Sequence, residues 1–149
     1  MATPYGIDVQ GGIKMLTNAD ITIYNVFYDS EQDKDIYQRT TIKGVHFEEN
    51  EAVRLDKGLV TDDKVLICIP FLAEASRMYV DPIMFDKMSV KEGYFTLKEG
   101  DRVVKGIQDY EVKRSMKELD EQFETFTITN VDTCDYGSVF MRHWEVGCK

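Results

Sequence analysis

The two histidines are the first residues to consider for chemistry in this chain of 149 residues. His46 precedes Glu48 and Glu49, and on a strand the side chains of His46 and Glu48 share one face while Glu49 points to the other. Two ligands do not complete a metal site. His143 lies almost a hundred positions further along, so we expect ordinary surface or cross-strand roles for both histidines.

The cysteines are Cys68, Cys134 and Cys148, an odd number at wide spacings with no CxxC pair. A disulfide framework or a zinc motif needs paired, regularly spaced cysteines, which this pattern lacks. Cys68 lies in the apolar run from Leu66 to Ile69, where a buried thiol behaves as a small hydrophobic side chain. The pattern therefore predicts neither a bound metal nor a reactive thiol.

Carboxylates and hydroxyls offer no better catalytic pattern. The acidic pairs Asp62-Asp63, Glu48-Glu49 and Glu118 with Asp120 fall in predicted turns or on a solvated helix face. No serine lies in a GxSxG elbow, and no glycine-rich loop followed by Lys could cradle a phosphate. We predict that the chain is not an enzyme and has no catalytic, cofactor-binding or metal-binding residues.

Composition narrows the classes of partner. With 27 acidic and 18 basic side chains the net charge is −9, which opposes binding to nucleic-acid phosphates. The longest nearly apolar stretch, Val65 to Ala73, is far shorter than the roughly 20 residues that span a bilayer. Met1 to Gly12 lacks the basic start and apolar middle of a secretory signal, so we expect synthesis in a cytoplasm and no membrane partner.

The elements that would position any site are mostly strands. Residues rich in β-branched and aromatic side chains predict strands over Ile21 to Tyr28, Ile36 to Phe47 with a bend at Gly44, Ala52 to Leu55 and Val65 to Ile69. Tyr94 to Leu97 and Arg102 to Ile107 flank a turn at Gly100 and predict a hairpin. Thr125 to Val131 and Val139 to Val146 predict a second, C-terminal hairpin.

Two helices are expected beside these strands. Asp81-Pro82 is a helix start, and it predicts a short helix near Ile83 to Met88. In the C-terminal half the apolar residues Val112, Met116, Leu119 and Phe123 form one stripe of an amphipathic helix. The fold class is thus mainly β, an antiparallel barrel or sandwich with one amphipathic and one short helix. Residues 1–18 read as a flexible N-terminal arm and 19–149 as a single β-rich domain.

Several stretches also resemble a known group of proteins. Met15 to Asn25 (MLTNADITIYN), Ile36 to Phe47 (IYQRTTIKGVHF), the pair GYFTL and EGDRVVKGI, and the terminal MRHWEVG follow one another along the chain. They resemble, in the same order, the landmarks of a family of small uncharacterised proteins encoded in the structural modules of tailed phages and prophages of Gram-positive bacteria. The chain departs from that pattern by carrying an arm before Met15.

The resemblance implies a context without supplying active-site residues. It implies a virion structural protein similar to the small β-barrel head-closure and head-tail joining proteins of the neck. Such a protein is made in the host cytoplasm and forms a hexameric or dodecameric ring with copies of itself around the DNA channel. Its other partners would be neighbouring neck, tail or portal proteins, with DNA only as non-specific cargo. Alternatives are a tail or minor capsid component, or a protein-binding module that is never packaged.

Overall fold

Strands dominate the computed structural model, which describes residues 5–7, 13–49 and 64–149. The strands in these ranges are β1 (Tyr5–Ile7), β2 (Ile13–Met15), β3 (Ala19–Asp29), β4 (Lys34–Glu49), β5 (Val65–Pro70), β6 (Glu74–Ala75), β7 (Met78–Tyr79), β8 (Tyr94–Phe95), β9 (Arg102–Lys105), β10 (Thr125–Cys134) and β11 (His143–Cys148). The helices are α1 (Pro82–Lys87), α2 (Met116–Gln122) and a 3₁₀ turn (Val139–Met141).

Six strands close into an antiparallel β-barrel. Around the barrel the order is β3, β9, β10, β11, β5 and β4, and β4 pairs with β3 to complete the circle. Each of the six has a hydrogen-bonded neighbour on both sides, which removes the open edges that a sandwich would leave. The prediction of a mainly antiparallel β fold is confirmed. Of the two architectures that the sequence left open, barrel and sandwich, the chain adopts the barrel.

The long strand β4 turns a corner of the barrel at Gly44. Its first part pairs with β3, and its last residues, His46 to Glu49, pair with β5. The β3–β4 register steps from Ala19 opposite Val45 to Asp20 opposite Lys43, so Gly44 is the extra residue of a bulge. Its φ of +85° is a conformation that glycine adopts without steric cost. The bend predicted at Gly44 is confirmed.

Alternation along the strands fills the barrel with apolar side chains. The enclosed core is formed mainly by Ile, Val and Phe, with Trp144 and Cys148 from β11. Trp144 is stacked between Phe71 and Tyr79, with ring centroids 4.3 and 4.2 Å away. A second apolar cluster lies outside β3 and β9, where Tyr24 and Val104 are buried against Val112 and Leu119.

Both predicted helices form, but the second is shorter than its apolar stripe. The Asp81 carboxylate caps α1 by accepting a 3.0 Å hydrogen bond from the Met84 amide, as the Asp-Pro start predicts. The segment 112–115 is not helical, because Ser115 is the N-cap of α2 and the Glu118 carboxylate binds the backbone amides of Lys113 and Arg114. Val112 nevertheless packs in the second cluster.

The predicted hairpin around Gly100 is wrong. β8 pairs in parallel with β7, whereas β9 pairs with β3 and β10. Gly100 does adopt a positive φ of +93°, so the turn itself is real. Its amide donates to the carbonyl of Ile128, which directs the chain into the barrel and away from β8. The predicted C-terminal hairpin is present as the antiparallel pair β10–β11. Its second strand begins at His143, because Val139–Met141, predicted as strand, forms the 3₁₀ turn.

Two further predictions concern the strand at Ala52 to Leu55 and the N-terminal arm. The strand expected over Ala52 to Leu55 lies outside the described residues. Within the predicted arm, β1 and β2 pair with each other, and Asn18 exchanges hydrogen bonds of 2.7 and 3.0 Å with the backbone of Phe47. The flexibility of residues 1–18 stays a prediction. In the described part of the chain no helix has the length and apolarity needed to cross a bilayer.

Candidate functional site

Four adjacent barrel strands bring most of the histidine and cysteine side chains to one outer face. His46 on β4 and Glu145 on β11 both stand opposite Cys68 on β5. Two residues before Glu145 on β11, His143 stands opposite Cys134 on β10. Cross-strand partners project to the same face of a sheet, and the alternate residues of these strands point into the core. The outer face therefore collects groups that are far apart in the sequence.

Three of these side chains form a compact cluster. One ligand atom each from Cys68, His143 and Glu145 lies within 4.8 Å of the other two, which makes this the one such trio in the described ranges. Nε2 of His143 is 3.1 Å from a carboxylate oxygen of Glu145. On the other side of the ring, Nδ1 is 2.7 Å from the carbonyl oxygen of Met141.

Burial decides what the thiol of this cluster can do on its own. Cys68 is 5% exposed, and burial raises the pKa of its thiol to about 12, with the Glu145 and Glu48 carboxylates adding to the effect. A thiol is nucleophilic only as its thiolate, so Cys68 without a bound cation is inert near neutral pH. Sulfur, nitrogen and oxygen donors at this spacing are instead the donor types that hold zinc.

A groove with both polar and apolar walls opens beside the bulge of β4. Its volume is about 430 Å³, and Thr17, Lys43 and Gly44 form part of its wall. The large apolar side chains that line it remain between 45 and 59% exposed; they are Leu16, Leu72, Val139 and Phe140. We call these four residues the groove. Clusters of exposed apolar side chains can serve as surfaces for protein contact, which makes the groove a candidate for one.

A second exposed apolar surface lies on α1. Ile83 and Met84 are 70 and 52% exposed, whereas Phe85 of the same helix is fully buried and packs against Phe27 of β3. We call Ile83 and Met84 the α1 face. Asp20 lies beside the bulge and Phe27 lies seven residues further along β3, so about 23 Å of strand separates the groove from the α1 face.

A buried carboxylate lies at the start of β9. Asp101 is 1% exposed and accepts a 2.7 Å hydrogen bond from the amide of Asn25, which also bonds the backbone of Thr96 in both directions. Burial raises the pKa of Asp101 to about 6, against the opposing effect of the Asn25 hydrogen bond and the Lys98 charge. This hydrogen-bond network joins β3 to the loop before β9, so Asp101 has a structural role.

The acidic pairs considered in the sequence have structural roles where they are described. Asp120 forms a 3.3 Å ion pair with Arg102, and Glu118 caps the chain before α2. Glu48 lies on the same outer face as His46, as predicted, and the pair Asp62-Asp63 lies outside the described residues. The Cys68, His143 and Glu145 cluster was missed because strand register, not spacing, assembles it.

Comparison with known proteins places the chain in a family without assigning an activity. No curated protein and no solved structure matches it. The model of a family of unknown function, DUF6751, matches residues 16–149. That match includes β3 to β11, both helices, the groove and the outer-face cluster. The chain therefore belongs to the DUF6751 family of unknown function.

Proposed function

We propose that the protein is a virion structural component of a tailed bacteriophage, a head-to-tail connector of the head-completion or stopper type. In this role, copies of the chain form a ring at the neck around the DNA channel. The observation that carries the proposal is the pair of exposed apolar surfaces, the groove and the α1 face, at opposite ends of the β3–β4 pair. The resemblance to phage structural-module proteins supplies the context.

Two different surfaces on one chain suit a head-to-tail contact. A ring of identical subunits uses one patch on each copy to meet a different patch on the next copy, and the contact closes when the rotation permits. The groove is concave and holds Phe140, whereas the α1 face presents Ile83 and Met84 on a helix. Insertion of α1 into the groove of the neighbouring copy would bury apolar side chains that each single chain leaves in water.

The charge of the chain agrees with a place beside DNA. A net charge of −9 opposes binding to the phosphate backbone, so DNA could pass through an acidic ring with little attraction to it. Each of the six barrel strands already has a paired neighbour on both sides over part of its length. Assembly would then depend on side-chain surfaces, which are the groove and the α1 face.

The test begins with purified particles of the phage that encodes the chain. We expect the chain in the virion and, when its gene is deleted, heads that carry no tails. Absence from virions would overturn the proposal in favour of a module that is never packaged. Presence in particles whose heads and tails still join without it would favour a tail or minor capsid component.

Variants then test the two surfaces. Phe140→Asp in the groove and Ile83→Asp on the α1 face should each fail to complement the deletion, because each places a charge in an apolar contact. Ile107→Asp is the matched control, since Ile107 is 43% exposed and belongs to neither surface. Complementation by both surface variants, or failure of the control as well, would contradict the assignment.

A further inference from the structure

We propose that Cys68, His143 and Glu145 bind a zinc ion on the outer face of the barrel, with Cys134 as the fourth ligand. This site is independent of the proposed function and differs from the expectation from sequence that the chain binds no metal. It rests on the positions of the donor atoms, on the orientation of one imidazole and on the burial of the cluster.

The donor atoms already stand close to the spacing of a zinc site. Zinc bonds of about 2.3 Å to sulfur and about 2.0–2.1 Å to nitrogen or oxygen, at tetrahedral angles, place neighbouring ligand atoms roughly 3.3–3.6 Å apart. The nitrogen of His143 and the oxygen of Glu145 are 3.1 Å apart, and the sulfur of Cys68 lies within 4.8 Å of both. The sulfur of Cys68 is the donor that would have to move, by up to about 1 Å, for all three to share one centre.

His143 is held in the orientation that a metal ligand requires. The carbonyl oxygen of Met141 can only accept, so Nδ1 must donate in the 2.7 Å hydrogen bond and Nε2 of the neutral ring carries the lone pair. Metal-bound histidines almost always have their second nitrogen fixed by such a partner. Here the partner is the backbone of the 3₁₀ turn that leads into β11.

The Glu145 carboxylate opposite Nε2 of His143 favours a cation between the two groups. Glu145 presents a carboxylate oxygen to that nitrogen, and two lone pairs facing each other at 3.1 Å repel unless a cation lies between them. A proton would suffice for the pair alone. A zinc ion would serve the pair and also Cys68, whose sulfur is buried beside them, because a coordinated thiol is deprotonated outright.

Cys134 completes the set from the neighbouring strand. It stands opposite His143 in the β10–β11 register, is 8% exposed, and its thiol interacts with the Glu145 carboxylate. The side chain of Glu145 is 40% exposed, which leaves a path for the ion from solvent. With ligands on β5, β10 and β11, the ion would join three adjacent strands of the barrel, a structural site with all four positions filled by protein.

The test uses the purified full-length chain, a reductant that does not bind metal, and Zn²⁺ or Co²⁺ alone as the probe. We expect one zinc ion per chain by elemental analysis and a higher melting temperature with zinc than after chelation. Co²⁺ should give the thiolate charge-transfer band and the intense visible bands of a tetrahedral site. A chain that takes up no zinc and gives no such bands would overturn the proposal.

Variants locate the ion. Glu145→Gln changes a partly exposed side chain and should fold, and Cys68→Ser and His143→Gln remove the buried ligands; each should weaken zinc binding by about 100-fold or more. Cys134→Ser should reduce the charge-transfer band by about half, since one of two thiolates is lost. Cys148→Ser is the matched control, a buried cysteine that projects into the barrel core.

The pattern of losses decides the outcome. Full zinc affinity in Glu145→Gln and in Cys68→Ser would place the ion elsewhere and overturn the site. An equal loss in Cys148→Ser would also overturn it, because that loss would reflect general damage to the barrel. A charge-transfer band of unchanged intensity in Cys134→Ser would overturn the assignment of the fourth ligand.

Discussion

Asp101 should give this protein an unusual dependence of stability on pH. The carboxyl group is 1% exposed, and its pKa rises from 3.8 in a model peptide to about 6 in the fold. Between these two values the folded chain binds more protons at this position than the unfolded chain does. The contribution of Asp101 to the free energy of unfolding is therefore full below about pH 4 and is lost as the pH rises through about 6.

The magnitude follows from the two pKa values. Each pKa unit corresponds to about 1.36 kcal/mol, so the difference between 3.8 and about 6 is worth about 3 kcal/mol. That amount is a large fraction of the roughly 5–15 kcal/mol that stabilises a typical domain. Asp101→Asn removes the titration while its amide oxygen can still accept the hydrogen bond from Asn25.

Urea denaturation from about pH 4 to about pH 7 measures the effect. Other carboxyl groups titrate in the same range, so the informative quantity is the difference in unfolding free energy between the parent and Asp101→Asn at each pH. We expect the parent to lose about 3 kcal/mol relative to the variant across this interval. Glu99→Gln, a charge removal at an exposed neighbour, is the control. A parent and an Asp101→Asn variant with parallel curves would refute the reasoning.

Four further substitutions test the packing of the fold by chemical denaturation. Leu119→Ala should lower the free energy of unfolding by about 2–5 kcal/mol because Leu119 is fully buried, and Met116→Ala should lower it by less because Met116 is only half-buried. Lys117→Ala is the exposed control. If Leu119→Ala unfolds like the parent, α2 does not pack as described. Thr40→Val should raise the free energy of unfolding by about 1–3 kcal/mol, since the Thr40 hydroxyl is buried with no hydrogen-bond partner among the described residues. A lower free energy of unfolding in this variant would show that the hydroxyl has a partner. Gly44→Ala should cost about 1 kcal/mol because its φ is +85° although a Cβ has room, and an unchanged stability would argue against the bulge.

Local signals in the sequence were enough for most of the barrel strands. The β-branched run before Asp29, the apolar run that starts at Val65 and the Asp81-Pro82 helix start each depend on neighbouring residues alone, and each appears in the fold. The late start of α2 also had a local signal, since Ser115 and Glu118 stand at the spacing of a capping box. The stripe of apolar residues predicted too early a start for α2, because Val112 packs in the second cluster without being helical.

Long-range pairing explains what the sequence did not predict. The turn at Gly100 was visible, but the competition between pairing β9 with β8 and pairing it with β3 is settled by closure of the barrel. The cluster of Cys68, His143 and Glu145 depends in the same way on the register of β5 against β11. A slip of one residue would turn Cys68 into the core, so no spacing rule could have found the cluster.

Copies of this chain are proposed to form a ring at the neck of a tailed phage, and a density map of the intact virion neck would show that ring. We expect six-stranded barrels between portal and tail, with α1 of each copy seated in the groove of the next and an acidic surface toward the DNA. A map in which the neck is fully occupied by other chains, with no barrel of this kind, would contradict it.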